Sequence, residues 1–411
     1  MTQQVNNQFQ IQGISLTSLA KEYCTPLYVY DGEKIAQQVD KLRSAFKNVD
    51  LKIKYASKAL TNVAILKLMK KLGVEIDVVS LQEAEFGFKA GYKSNEILFT
   101  PNSVGFEEIE RAVELGLRIN IDNLQILEKF GEKYKGSVPC CIRFNPHIMA
   151  GGNLKISTGY GNSKFGISYT RLNEILDIVE KYDVHVNGIH IHTGSDIKDA
   201  DVFVKGAKVV FEVAKNFKKL EFIDLGSGFK VAYKKEDEVL DVAKMGEKLS
   251  VEFQQFCREY GKQLQLWFEP GKFLVSEAGF LLVKANVIKK AETIEIVGVD
   301  SGMNHLIRPM MYDAYHEIVN ISNPEGKEKH YNVVGYICET DTFGSDRLLN
   351  EVRPGDLLIL KNAGAYGFSM SSNYNCRLKP AEVLIYNKEA RLIRRRETVE
   401  DLMRTIVDVE I

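Results

Sequence analysis

The chain has 411 residues, 45% hydrophobic and 27% charged, with 54 basic and 55 acidic side chains. That length predicts two domains rather than one core, and the near-neutral balance argues against nucleic acid or an anionic membrane surface as the main partner. The polar start MTQQVNNQFQIQG does not read as a signal peptide, no apolar run reaches membrane-spanning length, and six cysteines without a CxxC spacing fit a reducing, cytoplasmic compartment.

The first 30 residues carry β-like runs, FQIQGISL and PLYVY. From residue 51 to about 272, short apolar runs alternate with longer amphipathic segments. The runs are LKIKYAS (51–57), VEIDVVS (74–80), EILFT (96–100), RINID (118–122), VPCCIRFN (138–145), VNGIHIHT (186–193), FIDLGSG (222–228) and LQLWFEP (264–270). Between them, segments such as FEEIERAVELGL and RLNEILDIVEKY place apolar residues at i, i+3, i+4, the spacing of one helix face. Eight strands in strict alternation with helices predict a (β/α)8 TIM-like barrel over residues 31–275. An open doubly wound sheet is the alternative, and no GxGxxG follows the first strand to support it. After residue 272, FLVSEAGFLLVKANVIKKAETIEIVGVDSG, HYNVVGYIC, DLLILKNAG and AEVLIYN read as β runs broken by glycines and charged turns. They predict a second, mostly antiparallel β domain of residues 276–411, joined by residues 1–30. The fold class is therefore α/β plus β.

In such a barrel the chemistry sits at the C-terminal ends of the strands. Those ends carry Lys58, Asp77 and Ser80, Arg143 and Asn145, His190 and His192, Gly226-Ser227-Gly228, and Glu269. The Gly-rich turn lets backbone N–H groups approach an anion, which suggests a phosphorylated ligand. The HIH pair has two readings. Alternate residues of a strand share a face and suit a metal, which needs further ligands from other strands; otherwise one imidazole stacks on a planar cofactor and the other is structural. A desolvated lysine is the usual Schiff-base nucleophile, which fits Lys58 at the end of YASKA. With Glu269 to keep a pyridine nitrogen protonated, the set describes a pyridoxal 5'-phosphate site. Cys338, in GYICETDTF, reads as packing, metal ligand or reacting thiol. The absence of metal spacing argues against the second.

YASKA, DVVS with the following EAE, HIHTGS, EPGKF, IRPMMYDAYH, CETDTF and GAYGFSMSSNYN occur in order over nearly the whole chain. This set resembles the diaminopimelate decarboxylases, members of the alanine racemase-like group of pyridoxal phosphate enzymes. The resemblance implies a head-to-tail homodimer with shared active sites. It gives Lys58 the Schiff base, His192 the stack on the cofactor ring, and Glu269 the pyridine nitrogen. Ser195, Gly226 and Gly228 line the phosphate, and Asp77 stands near Lys58. Arg308 and Tyr312 hold the far end of the substrate, and Tyr366 reaches cofactor or substrate. Cys338 and Glu339 enter the partner subunit's site, Glu339 to take the far ammonium and Cys338 to supply a proton, with Lys58 as the competing donor. The implied reaction converts meso-diaminopimelate to L-lysine and CO2, the last step of lysine biosynthesis.

Two positions depart from the family pattern. Its Gly-Gly-Gly turn is Gly226-Ser227-Gly228 here, which suits phosphate if Ser227 does not need positive φ. Its EPGR arginine is Lys272, which with Arg308 is expected to take the far carboxylate, but as a point charge rather than a fork. The rival readings are a decarboxylase of the same fold acting on carboxynorspermidine or another basic amino acid, and a metal-dependent barrel hydrolase.

Overall fold

The computed structural model of the chain describes residues 3–5, 8–148 and 163–411. The chain divides into two compact units. One comprises Gln37–Ala232 and Glu238–Leu274, the other Met1–Ala36, Tyr233–Asp237 and Val275–Ile411.

The first unit is a closed barrel of eight parallel strands: Leu51–Ala56, Glu75–Val78, Ile97–Phe99, Arg118–Ile121, Cys140–Asn145, Val186–Ile191, Phe222–Asp224 and Gln265–Phe268. Each pairs with the next, and Leu266 opposite Leu51 closes the ring. Helices cover the outside, so the strands are buried on both faces and their sequences run apolar instead of alternating. Several strands end earlier than the apolar runs suggest. The run VEIDVVS stops as a strand at Val78, because Ser80 leaves the ladder to cap the next helix. Ser80 Oγ accepts from Glu83 N at 3.2 Å, and the Glu83 carboxylate accepts from Val79 N at 2.8 Å. The EAE that follows DVVS thus begins a helix, a device worth about 1 kcal/mol.

The barrel interior is packed. Phe222 and Trp267 stack with ring centroids 3.5 Å apart, in a layer with Leu98 and Cys141. Truncating a buried ring of this kind costs about 3–5 kcal/mol. Lys54, fully buried, lies 4.2 Å from the Trp267 ring and pairs with Glu75 at 2.6 Å. Burial pushes the Cys140 thiol up to about 12, so it packs rather than reacts.

The second unit is a nine-stranded, mostly antiparallel sheet. Its long strand Gly279–Lys290 pairs antiparallel with Leu27–Asp31, Glu295–Val299 and Leu357–Leu360. Two pairings are parallel: Leu27–Asp31 with Ala381–Tyr386, and Glu295–Val299 with Glu328–Val334. Leu27, Val29, Leu282, Ile359 and Val383 share one core, which is why PLYVY is wholly buried. The β-like start differs from its reading at one place. Leu16–Tyr23 is a helix, with Ser15 as its N-cap and Leu16, Leu19 and Ala20 on its buried face. Among the described residues, no helix is long and apolar enough to cross a membrane.

Candidate active site

Lys58 lies in the 3-10 turn Ser57–Ala59, directly beyond the first barrel strand. A buried environment was expected there, but the side chain is exposed, because the turn carries it past the last ladder position. Its charge nevertheless acts on Asp77, Glu269, His190 and His192, so it belongs to the polar cluster at that end of the barrel.

Three carboxylates in this cluster are buried: Asp77, Asp224 and Glu269. Their environments push them apart. Burial favours protonation of Glu269, but His190, Lys58 and Arg143 outweigh it and hold the carboxyl down at about 2. Burial, then the Glu269 charge, raises Asp77 to about 7, against the pull of Lys58. Asp224 is raised by the same two causes, and its Oδ1 accepts from Gly226 N at 2.8 Å. One carboxylate therefore stays ionised while its neighbours take protons, the arrangement like charges adopt in a low dielectric. Glu269 Oε1 is buried without a hydrogen-bond partner.

The state of Asp77 has a measurable consequence. Its folded value, about 7, lies above the ordinary carboxylate value, so the folded state holds an extra proton between about pH 4 and pH 7. The stability this contributes is complete below about pH 4 and lost as pH rises through 7. Chemical denaturation of cofactor-free Asp77→Asn protein should therefore lack a fall, on the order of 4 kcal/mol, that the parent shows across that window. Parallel pH profiles for the two proteins would count against a protonated Asp77.

The two histidines have different surroundings. His190 is fully buried at the end of the sixth strand. The Asn120 amide faces its Nδ1 at 2.9 Å, which assigns the proton to Nε2. Nε2 lies 3.2 Å from Glu269 Oε2 without hydrogen-bond alignment, so that contact is mainly electrostatic. Ligand atoms of His190, Asp224 and Glu269 all lie within 4.8 Å of one another, spacing a cation could use. The lone pair of His190 is committed to Asn120, however, and Asp224 is held toward its protonated form. His192 is half-buried; burial, then Arg143 and Lys58, pushes it down to about 3. A neutral ring results, and Ser227 N at 3.3 Å from its Nδ1 fixes its orientation.

The turn Gly226-Ser227-Gly228 is a cradle with no room for side chains at its ends. A Cβ on Gly226 would lie 2.6 Å from Ile191 O, and one on Gly228 would lie 2.0 Å from Gly194 O. Both glycines have positive φ, at 61° and 109°, and Ser227 does not, so serine is tolerated where the family has glycine. Ser195 sits on the segment laced to this turn by Ile197 N to Gly228 O at 2.8 Å and Lys230 N to Ile197 O at 3.1 Å. Lys272 forms an ion pair with Asp196, an acid that the sequence reading did not single out.

The remaining expected residues belong to the β unit. Arg308 opens the short helix Arg308–Tyr312, where i, i+4 spacing puts it and the half-buried Tyr312 on one face. Arg308 is buried and donates to Tyr233 Oη at 2.8 Å. Tyr366 is half-buried with φ 55°, a conformation an aromatic residue rarely adopts. In CETDTF the structure separates the residues. Asp341 is buried and accepts from Met303 N at 2.5 Å and Ile337 N at 2.8 Å, pinning the loop. Cys338 and Glu339 are exposed. Asn375 donates to Cys338 Sγ at 3.2 Å, and Tyr374 to Glu339 Oε1 at 2.6 Å. These partners were not singled out, although Asp341, Tyr374 and Asn375 lie inside motifs already quoted.

A barrel rim with a lysine, a glycine turn closed to side chains, a neutral half-buried imidazole and a buried ionised carboxylate is the equipment of an enzyme that binds pyridoxal phosphate. The unpartnered Glu269 Oε1 fits a protonated ring nitrogen, and the cradle fits the phosphate. Residues 32–276 match the sequence pattern of the pyridoxal-binding domain of pyridoxal-dependent decarboxylases. The diaminopimelate decarboxylase of Methanothermobacter thermautotrophicus is 36% identical over 405 residues, covering 96% of this chain and 94% of the relative. The crystal structure of diaminopimelate decarboxylase from M. jannaschii in co-complex with L-lysine superposes with a TM-score of 0.91 at 32% identity, covering 99% and 98%. The Helicobacter pylori enzyme complexed with L-lysine gives 0.87 at 32% identity, covering 94% and 98%. The chain belongs to the pyridoxal-dependent decarboxylases and, within them, to the diaminopimelate decarboxylase family.

Proposed function

We propose that this chain uses pyridoxal phosphate to remove CO2 from the D-configured end of meso-diaminopimelate, giving L-lysine. The observation that carries the reading is Glu269: buried, held ionised beside Lys58 and His190, with one oxygen unpartnered. The substrate choice is supported by the near-full-length similarity to diaminopimelate decarboxylases and by a buried arginine, Arg308, with no acid paired to it among the described residues.

When bound, pyridoxal phosphate supplies an electron sink for the pair left behind by the departing carboxylate. Lys58 Nζ would hold the group covalently, and Glu269 Oε1 would keep a proton on its ring nitrogen. His192 would lie against the ring as a neutral imidazole, and Ser195 and the Gly226–Gly228 turn would take the phosphate. Asp77 keeps a proton near Lys58. Arg308 and Tyr312 of the β domain, with the charge of Lys272 from the barrel domain, read the substrate's far carboxylate, and Tyr366 reaches cofactor or substrate. For Lys272 this role requires exchange with Asp196, its present partner. Cys338 Sγ delivers a proton to the carbon that lost CO2, and Glu339 takes the far ammonium, both in the active site of a second copy. The enzyme is accordingly a homodimer with shared sites, working in the cytoplasm, with a cofactor domain over 31–275 and a β domain from 1–30 and 276–411. Exposure of Cys338 and Glu339 supports that role.

The direct test is CO2 release from meso-diaminopimelate and from carboxynorspermidine by the purified holoenzyme. Faster turnover of carboxynorspermidine overturns the substrate choice. Cys338→Ala should retain the cofactor's visible absorbance and lose about 10²-fold in kcat, the lower end for a lost proton donor because solvent can substitute. Full activity in that variant removes the thiol from the mechanism. Mixing Lys58→Ala with Cys338→Ala protein should restore activity, since one hybrid site is then complete. Heterodimers without recovery would argue against shared sites.

A further inference from the structure

Arg308 is 7% exposed, and among the described residues no carboxylate pairs with it. Its two hydrogen-bond contacts are both made by Nη1, with Tyr233 Oη at 2.8 Å and His316 Nε2 at 3.3 Å, and its guanidinium carbon lies 4.8 Å from the Tyr233 ring centroid. His316 is itself fully buried, and its Nδ1 lies 2.8 Å from Lys361 O. A carbonyl only accepts, so Nδ1 carries the proton and Nε2 presents a lone pair toward the guanidinium. Tyr233 is fixed from its own side. Its backbone N and that of Lys234 donate to Asp237 at 2.9 and 3.1 Å, and its ring meets His316 edge-on at 5.6 Å.

We propose that His316 and Tyr233 are positioning residues that occupy Nη1 of Arg308, leaving Nε–H and Nη2–H as a parallel fork for the substrate's far carboxylate. The stereochemistry follows from the guanidinium itself. Nη1 lies on the Cδ side, whereas Nε–H and one Nη2–H point the same way, the pair that grips a carboxylate with two bonds. Both partners of Nη1 are neutral and the Tyr233 ring offers only its face, so no carboxylate balances the positive charge until an anion arrives, and a buried charge in that condition favours one. Burial, then the charge of Arg308, pushes His316 down to about 3, which keeps its acceptor face available. A protonated imidazole would instead set N–H against N–H. This assignment rests on the proposed substrate, and it makes carboxylate recognition depend on two residues that never touch the ligand.

The test uses holoenzyme carrying His316→Phe, His316→Gln or Tyr233→Phe, with L-lysine and cadaverine as inhibitors. L-Lysine keeps the far carboxylate, and cadaverine lacks it. His316→Phe should raise KM for meso-diaminopimelate and weaken L-lysine about tenfold, the loss of one bond of a charged pair, with kcat changed less than about twofold. Cadaverine inhibition and the cofactor's visible spectrum should stay as in the parent. His316→Gln, whose amide oxygen can accept, should remain within about threefold of the parent. If His316→Phe does not fold, Tyr233→Phe should show the same lysine-specific weakening, about threefold. Unchanged KM, or equal weakening of lysine and cadaverine, overturns the positioning role. A parent enzyme without activity on meso-diaminopimelate overturns the functional reading as well, so the two failures are distinguishable.

Discussion

Lys58→Ala is expected to abolish both CO2 release and the visible absorbance of the bound cofactor. The reason lies in what the neighbouring amines are doing. Lys54, on the strand that leads into this turn, is sealed in the barrel and paired with Glu75, and Lys272 is paired with Asp196. Neither is placed to substitute. Lys58 is exposed in a turn just past the first strand, with an anionic Glu269 and a titrating Asp77 as electrostatic neighbours. On the proposed role, its loss removes the covalent hold and an amine that can carry a proton together, so a fall in kcat of about 10⁴-fold or more is expected, the upper range for positioned proton transfer. Absorbance spectra of parent and variant after cofactor loading check this. An unchanged visible band would show that another group holds the cofactor.

Glu269→Gln is the second large effect. The substitution keeps the shape of the side chain but removes the charge that His190, Lys58 and Arg143 hold in place. It also takes from His190 the carboxylate oxygen that lies 3.2 Å away. A neutral amide cannot hold a proton on the pyridine nitrogen, so the electron sink is weakened when it is needed. A loss in kcat of about 10²–10³ is expected, comparable to removing one preorganised electrostatic partner. Substrate binding should change much less, because the proposed role of Glu269 is toward the cofactor ring rather than the far end. Glu269→Asp should recover part of the rate, since charge is restored one methylene short. A kcat near that of the parent in Glu269→Gln would remove the carboxylate from its assigned role.

Much of the polar cluster at this end of the barrel was legible because it forms at strand ends, where an apolar run gives way to a polar residue. Asp77, His190 and Glu269 follow from that rule, and Gly226 and Gly228 from the need for backbone approach. The rule was less good at predicting environment. Lys58 was expected to be buried, but the strand ends two residues before it and a tight turn takes over. His190 and His192 looked equivalent in HIH until Asn120, from the fourth strand, claimed one ring and Ser227, from the turn after the seventh, oriented the other. Lys272 was expected to take the far carboxylate, and its partner Asp196 was not foreseen because it lies 76 residues away in sequence.

The sequence by itself determined the eight-strand alternation, the change to β runs after residue 272, and the chemical types at each strand end. Those are local properties, set by apolar spacing and by where a polar residue interrupts it. Tertiary structure alone decided protonation and partnership. Whether Asp77, Asp224 or Glu269 keeps its charge depends on which cation lies closest in a shared low-dielectric interior, and those cations come from other strands. The same holds in the β domain, where Arg308 and His316 share a motif, but Tyr233, which completes the grip on Nη1, enters from a segment 75 residues away in sequence.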